Sequence, residues 1–146
     1  MSRRGKGSSL LGTFQQNSVH LIARVVVGFV WIYHGAVPKL LFQHADELEM
    51  IHAGGASVES APLIVGCIGV AEILAGLWVL SGFPSVRWPI GFTIVILVGV
   101  TIGGAIQFPH FLVAAFNPVS LNVQMIALSV IGWLTIRDSR ATDPTP

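Results

Sequence analysis

The 146-residue chain is 53% hydrophobic and only 10% charged, with a net charge of +1 and a mean hydropathy of +0.75. That balance excludes an ordinary water-soluble domain and points to one small integral membrane domain. A pI near 8.0 without a basic patch excludes nucleic acid as a partner. The one cysteine, Cys67, excludes both an intramolecular disulfide and a C-x-x-C thiol pair.

Residues 1–18 contain Arg3, Arg4 and Lys6, followed by a polar, Gly-rich run to Ser18. They lack the apolar region and cleavage site of a signal peptide and read as a short cytoplasmic tail. Four apolar stretches follow, at about 20–42, 61–82, 88–107 and 118–136. Each approaches the ~20 helical residues that cross roughly 30 Å of hydrocarbon. Their unbroken apolar character excludes barrel strands, which alternate in polarity. The expected fold class is therefore all-α. It is a four-transmembrane-helix bundle forming a single membrane domain over 1–146, with residues 137–146 as a second tail.

An even number of spans puts both termini on one side. That side collects Arg3, Arg4, Lys6, Arg87, Arg137 and Arg140, whereas the other has only Lys39. The positive-inside rule then assigns both termini to the cytoplasm. On the outer side, Gln43 to Ser60 opens with Asp46 three residues before Glu49, a capping-box spacing, and ends at Gly54 and Gly55. A short interfacial helix is expected there. His44 and His52 in this loop are eight apart and match no ligand frame, so no metal site is expected. Its acidic residues, Glu47 among them, read as a solvated face. The second outer loop, Phe108 to Asn117, is apolar and uncharged, with Phe111 and Phe116, and is expected in the interface or beneath the bundle. It ends in Asn117-Pro118, an N-cap and first helical residue.

Chemistry concentrates on Glu72, a carboxylate near the middle of the apolar run Ala61 to Leu80. An ionisable group at that depth is costly and defaults to a functional-site hypothesis. On the first span Arg24, Gly28, Trp31, Gly35 and Lys39 follow at steps of four, three, four and four, within one narrow face. On the second, Gly69, Glu72 and Gly76 form a matching small face. Gly99 and Gly103 add a small-xxx-small pair for helix packing inside the bundle or between copies in a homo-oligomer. By helical rise, His34 is nearest Glu72 in depth, and Arg24 is roughly 10 Å away. Both are candidate partners, with Glu72 either paired with Arg24 or uncharged. Lys39 sits near a span end, where a lysine ordinarily snorkels to the interface. Pro38 should bend the helix beside Tyr33 and His34. The competing reading is a structural ion pair that sets helix register. Asn122, Met125 and Ser129 share a face of the last span and, with Gln107, serve interhelical hydrogen bonding. No nucleotide loop, paired haem histidines or nucleophile elbow is present.

With Trp31-Ile-Tyr-His-Gly-Ala-Val-Pro-Lys39, Asp46-Glu-Leu-Glu49, Gly69-Val-Ala-Glu-Ile-Leu-Ala-Gly76 and Ala115-Phe-Asn-Pro-Val-Ser-Leu-Asn122, the chain resembles the DoxX-like family of small bacterial membrane proteins, grouped with DoxD. The resemblance runs from about Leu21 to Ile136. It implies a four-helix fold in the bacterial inner membrane and a loose link to quinone-based oxidation systems. It marks no residue as catalytic. The leading expectation is a non-catalytic accessory or anchor subunit of a membrane redox system, embedded in lipid and served by a soluble oxidoreductase. A polar pocket of Arg24, His34, Lys39 and Glu72 would receive a quinone-like head group, with no intrinsic cofactor. The rivals are a small proton-coupled transporter or channel, and a purely structural membrane factor.

Overall fold

The computed structural model describes residues 4–113 and 117–136, with side chains from Gly12 onward. Arg3, Arg137, Arg140, Ala115, Phe116 and the 137–146 tail lie outside the described residues. Among the described residues every regular element is helical, without a strand. Helix α1 runs Arg4–Gly35 and continues as a π-helical segment, Ala36–Leu41. Then come α2 (Ala45–Ala53), α3 (Ala61–Ser81), α4 (Arg87–Gln107), a 3-10 turn (Pro109–Leu112) and α5 (Pro118–Leu134).

Three stretches are long and apolar enough to cross a bilayer: Gly12–Leu41, Ala61–Ser81 and Arg87–Gln107. The fourth, α5, has 17 residues and rises about 25 Å. Side chains such as Leu74 (61% exposed), Val95 (71%) and Leu134 (72%) stand outward from these helices. Apolar surface on that scale suits lipid and not water.

Helix α1 starts earlier than the span expected from about residue 20, because the chain is helical from Arg4. Once a helix is nucleated, each further residue adds a backbone bond. The apolar span can therefore propagate backward through glycines that would not start a helix alone.

Local chemistry explains the other boundaries. Pro38 has no N–H to give and its ring crowds the preceding turn, so the ladder widens. Phe42 N–H reaches Val37 O at 3.0 Å, an i→i+5 bond. Helix α2 begins one residue before Asp46, and its cap is His44, whose Nδ1 accepts from Asp46 N–H at 3.3 Å. The expected capping box is thus replaced, since a side chain two residues earlier takes the Asp46 N–H. Helix α3 stops at Gly82, in the left-handed region at φ 67°. Asn117 caps α5, accepting from Val119 N–H at 2.8 Å and Ser120 N–H at 3.4 Å, with Pro118 in the first turn.

The chain forms two compact units, divided within α1 between Arg24 and Val25. One is Val25–Ser85; the other is the described part of Met1–Arg24 and Val86–Pro146. In the latter, His20 Nδ1 lies 3.0 Å from Gly132 O. The Trp133 ring lies against Gly91, 3.0 Å from where a Cβ would stand. Its buried hydroxyls turn back on their own helices: Thr93 Oγ1 donates to Pro89 O at 2.9 Å and Ser129 Oγ to Met125 O at 2.8 Å. Phe108 stacks on Phe111 with ring centroids 5.5 Å apart, so the apolar loop packs on itself.

Candidate functional site

The Val25–Ser85 unit is built on backbone contact. The steps of seven residues from Gly28 to Gly35 and from Gly69 to Gly76 place each pair on one side of its helix, and these sides press together. A Cβ on Gly76 would stand 2.7 Å from Gly28 O, and one on Gly69 2.7 Å from Gly35 O. A Cβ on Gly35 would strike Gly69 O. The order of these contacts makes the two helices antiparallel. By contrast, a Cβ on Gly99 or Gly103 would meet nothing within 4 Å.

At the end of this seam stands Lys39. The π segment keeps it on the glycine side, its Cβ 2.9 Å from where a Cβ on Gly69 would be. The side chain is only 7% exposed, and its ammonium stands between two carboxylates. Nζ donates to Glu47 Oε1 at 2.8 Å and lies 3.2 Å from Glu72 Oε2. The first contact is a formed hydrogen bond. The second is an ion pair off the hydrogen-bond direction, and the buried Oε2 keeps acceptor capacity. An ammonium out of water requires such partners, because leaving it unpaired there costs several kcal/mol (about).

The loop that carries Glu47 is tied down at its base. Gln43 sits at φ 41°, uncommon for a residue with a Cβ, and its Nε2 donates to Pro62 O at 3.0 Å. His44 N–H donates to Pro38 O at 2.8 Å, using a carbonyl that the π segment frees. These bonds reverse the chain tightly enough for α2 to return Glu47 to Lys39, eight residues on.

The geometry revises the sequence expectations residue by residue. The cation paired with Glu72 is Lys39, where Arg24 or His34 was expected. Lys39 does not snorkel outward, because its flexible four-carbon stem reaches inward to a carboxylate instead. His34 is exposed on α1 and lies within electrostatic range of Lys39 and Glu47. Arg24 belongs to the other unit. Glu47, expected on a solvated face, is only 21% exposed and ion-paired. Its signal in the sequence was faint: a carboxylate placed one residue after the loop's expected cap. The remaining loop acids, Asp46, Glu49 and Glu59, are exposed. Among the described residues no three His, Cys, Asp or Glu groups converge to hold a metal ion.

Chemically, one lysine between two carboxylates can hold charge, accept hydrogen bonds from a polar ligand, or pass a proton. The profile of the DoxX-like family matches residues 28–130. That range contains His34, Lys39, Glu47 and Glu72, and begins after Arg24. No curated protein and no solved structure matches the chain.

Proposed function

The chain belongs to the DoxX-like family, and from that membership and the Lys39–Glu72 pair we propose an accessory or anchor subunit of a membrane redox system. It is a multi-pass integral membrane protein, all-helical, with apolar helices in contact with lipid. We propose further that α5 serves as a fourth span completing a four-helix bundle over 1–146, in a bacterial inner membrane, with both termini cytoplasmic. Arg87, at the start of α4, is then cytoplasmic as the positive-inside rule asks.

The observation that carries the functional reading is the buried Lys39 ammonium held against Glu72, which lies within an apolar helix long enough to cross a bilayer. A pair kept there at a desolvation cost suits a site that binds a polar head group or moves a proton. The donor set fits a quinone-like head group: a Lys39 N–H would donate to a ligand oxygen, and Glu72 Oε2 would accept from the hydroxyl of the reduced form. Such a ligand takes up protons together with electrons. Glu72 and Lys39 orient it and hold the proton, while a soluble oxidoreductase supplies the electrons.

The test is the molar ratio of quinone to protein in lipid extracts of gently purified material, by mass spectrometry. Near-stoichiometric quinone is expected in the wild type. A fall of about tenfold or more is expected in Glu72→Gln, the consequence of losing one charge-assisted hydrogen bond. Background quinone in both proteins rejects the redox pocket. A second reading, a small proton-coupled transporter, is favoured by the π segment, since such widened turns recur where helices serve a function. Proton-dependent flux in proteoliposomes without bound quinone selects it.

A further inference from the structure

We infer that Glu47, on the short helix α2 outside the spans, is the residue through which protons reach and leave Glu72, with Lys39 as the relay between them. This deepens the proposed proton role of Glu72 and rests on it.

The three groups form a line of contacts from loop to span. Glu47 Oε1 is 2.8 Å from Lys39 Nζ, and Nζ is 3.2 Å from Glu72 Oε2, so each step is within the reach of a proton transfer. Exposure falls along the line only at its centre: Glu47 is 21% exposed, Lys39 7% and Glu72 18%. Glu47 is the carboxylate of α2 turned toward Lys39, while its neighbours Asp46 and Glu49 are exposed. A site that existed only to neutralise Lys39 would need one carboxylate. The second carries a further negative charge into an apolar setting, a cost that a relay explains and a plain counter-ion does not.

The titratable groups facing the line are His34 on α1, Lys39 on the π segment, Glu47 on α2 and Glu72 on α3. The transfer balances without any other reactant. Hydronium at the surface gives a proton to Glu47, one of its O–H bonds breaking to leave water as an O–H bond forms on the carboxylate. Lys39 gives an N–H proton to Glu72 Oε2, where an O–H bond forms, and the Glu47 O–H bond breaks to restore the ammonium. The net change is one proton moved from solvent to Glu72, with Glu47 and Lys39 restored, and reversal releases it. The segment Gln43–His44, tied to Pro62 O and Pro38 O, holds the donor in place.

The deciding experiment is a pH jump on the full chain in nanodiscs, followed by time-resolved infrared absorption of the carboxylic C=O stretch. The band lost in Glu72→Gln is assigned to Glu72. In Glu47→Gln the same band is expected to reach its final amplitude about tenfold more slowly or worse, and added acetate is expected to recover part of the rate. Lys39→Arg is expected to slow it similarly, because arginine keeps the charge but does not release a proton. A merely structural Glu47 would give neither acetate rescue nor slowing in Lys39→Arg. Unchanged rates in both variants overturn the relay and leave the Glu72 reading standing. If no band is lost in Glu72→Gln, both fall together.

Discussion

The two units of this small protein use polar atoms in opposite ways. In the unit formed by the described part of Met1–Arg24 and Val86–Pro146, the buried hydroxyls of Thr93 and Ser129 each donate to a carbonyl of their own helix. The Ser129 hydroxyl thereby makes no demand on a neighbouring helix. In Val25–Ser85, Lys39 draws on two other helices, and glycine faces bring backbones into contact beside it. The first arrangement tolerates exchange of a polar atom. The second makes sequence, packing and charge depend on one another.

The largest effect should follow from Lys39→Met, which removes the cation and leaves two carboxylates facing each other. Breaking a fully buried pair costs about 3–5 kcal/mol. Glu47 and Glu72 retain 21% and 18% of their side-chain exposure, so a loss near or below the low end is expected. Thermal unfolding followed by tryptophan fluorescence measures it, and wild-type stability would show that the charge cluster does not hold this unit together.

Next comes a paired comparison of glycines. Gly69→Ala sets a Cβ against Gly35 O and Lys39 Cβ, where backbone must move, and a loss of about 1–3 kcal/mol is expected. Gly99→Ala meets open space and should stay within about 0.5 kcal/mol of wild type. Equal effects at the two sites would erase the contrast between the units. Asn117→Ala should cost about 1 kcal/mol, since it frees two backbone donors at the start of α5, and the same melts will register it. A small change is also expected from Ser129→Ala, within about 1 kcal/mol, because its hydroxyl bonds Met125 O of its own helix. A larger loss would reveal a cross-helix role for that hydroxyl and weaken the distinction drawn above.

Much of the architecture was legible because it depends on local rules. Long apolar runs in lipid have few alternatives to helix. Asn117-Pro118 and Gly82 mark helix ends through the backbone groups that any helix leaves open. The start of α1 was not legible, since helix propagation through a Gly-rich tail depends on the stable span behind it. The cap of α2 was misplaced by two residues because His44 competes with Asp46 for the same role.

For the site, sequence alone singled out Glu72, because a carboxylate inside an apolar run is conspicuous on chemistry alone. It also set glycines at helical spacing along both faces. Its partner was decided by tertiary structure. Counting residues gives depth along a straight helix, yet Lys39 stands beyond a proline that widens the turn, and its long side chain points inward rather than to the interface. Glu47 was further from reach. Its position depends on a chain reversal at Gln43, held by bonds to Pro62 and Pro38 that no period or spacing encodes. Helices and small faces follow from the chain's own periodicity, whereas which charge meets which follows from loops, and loops are positioned by the fold they join.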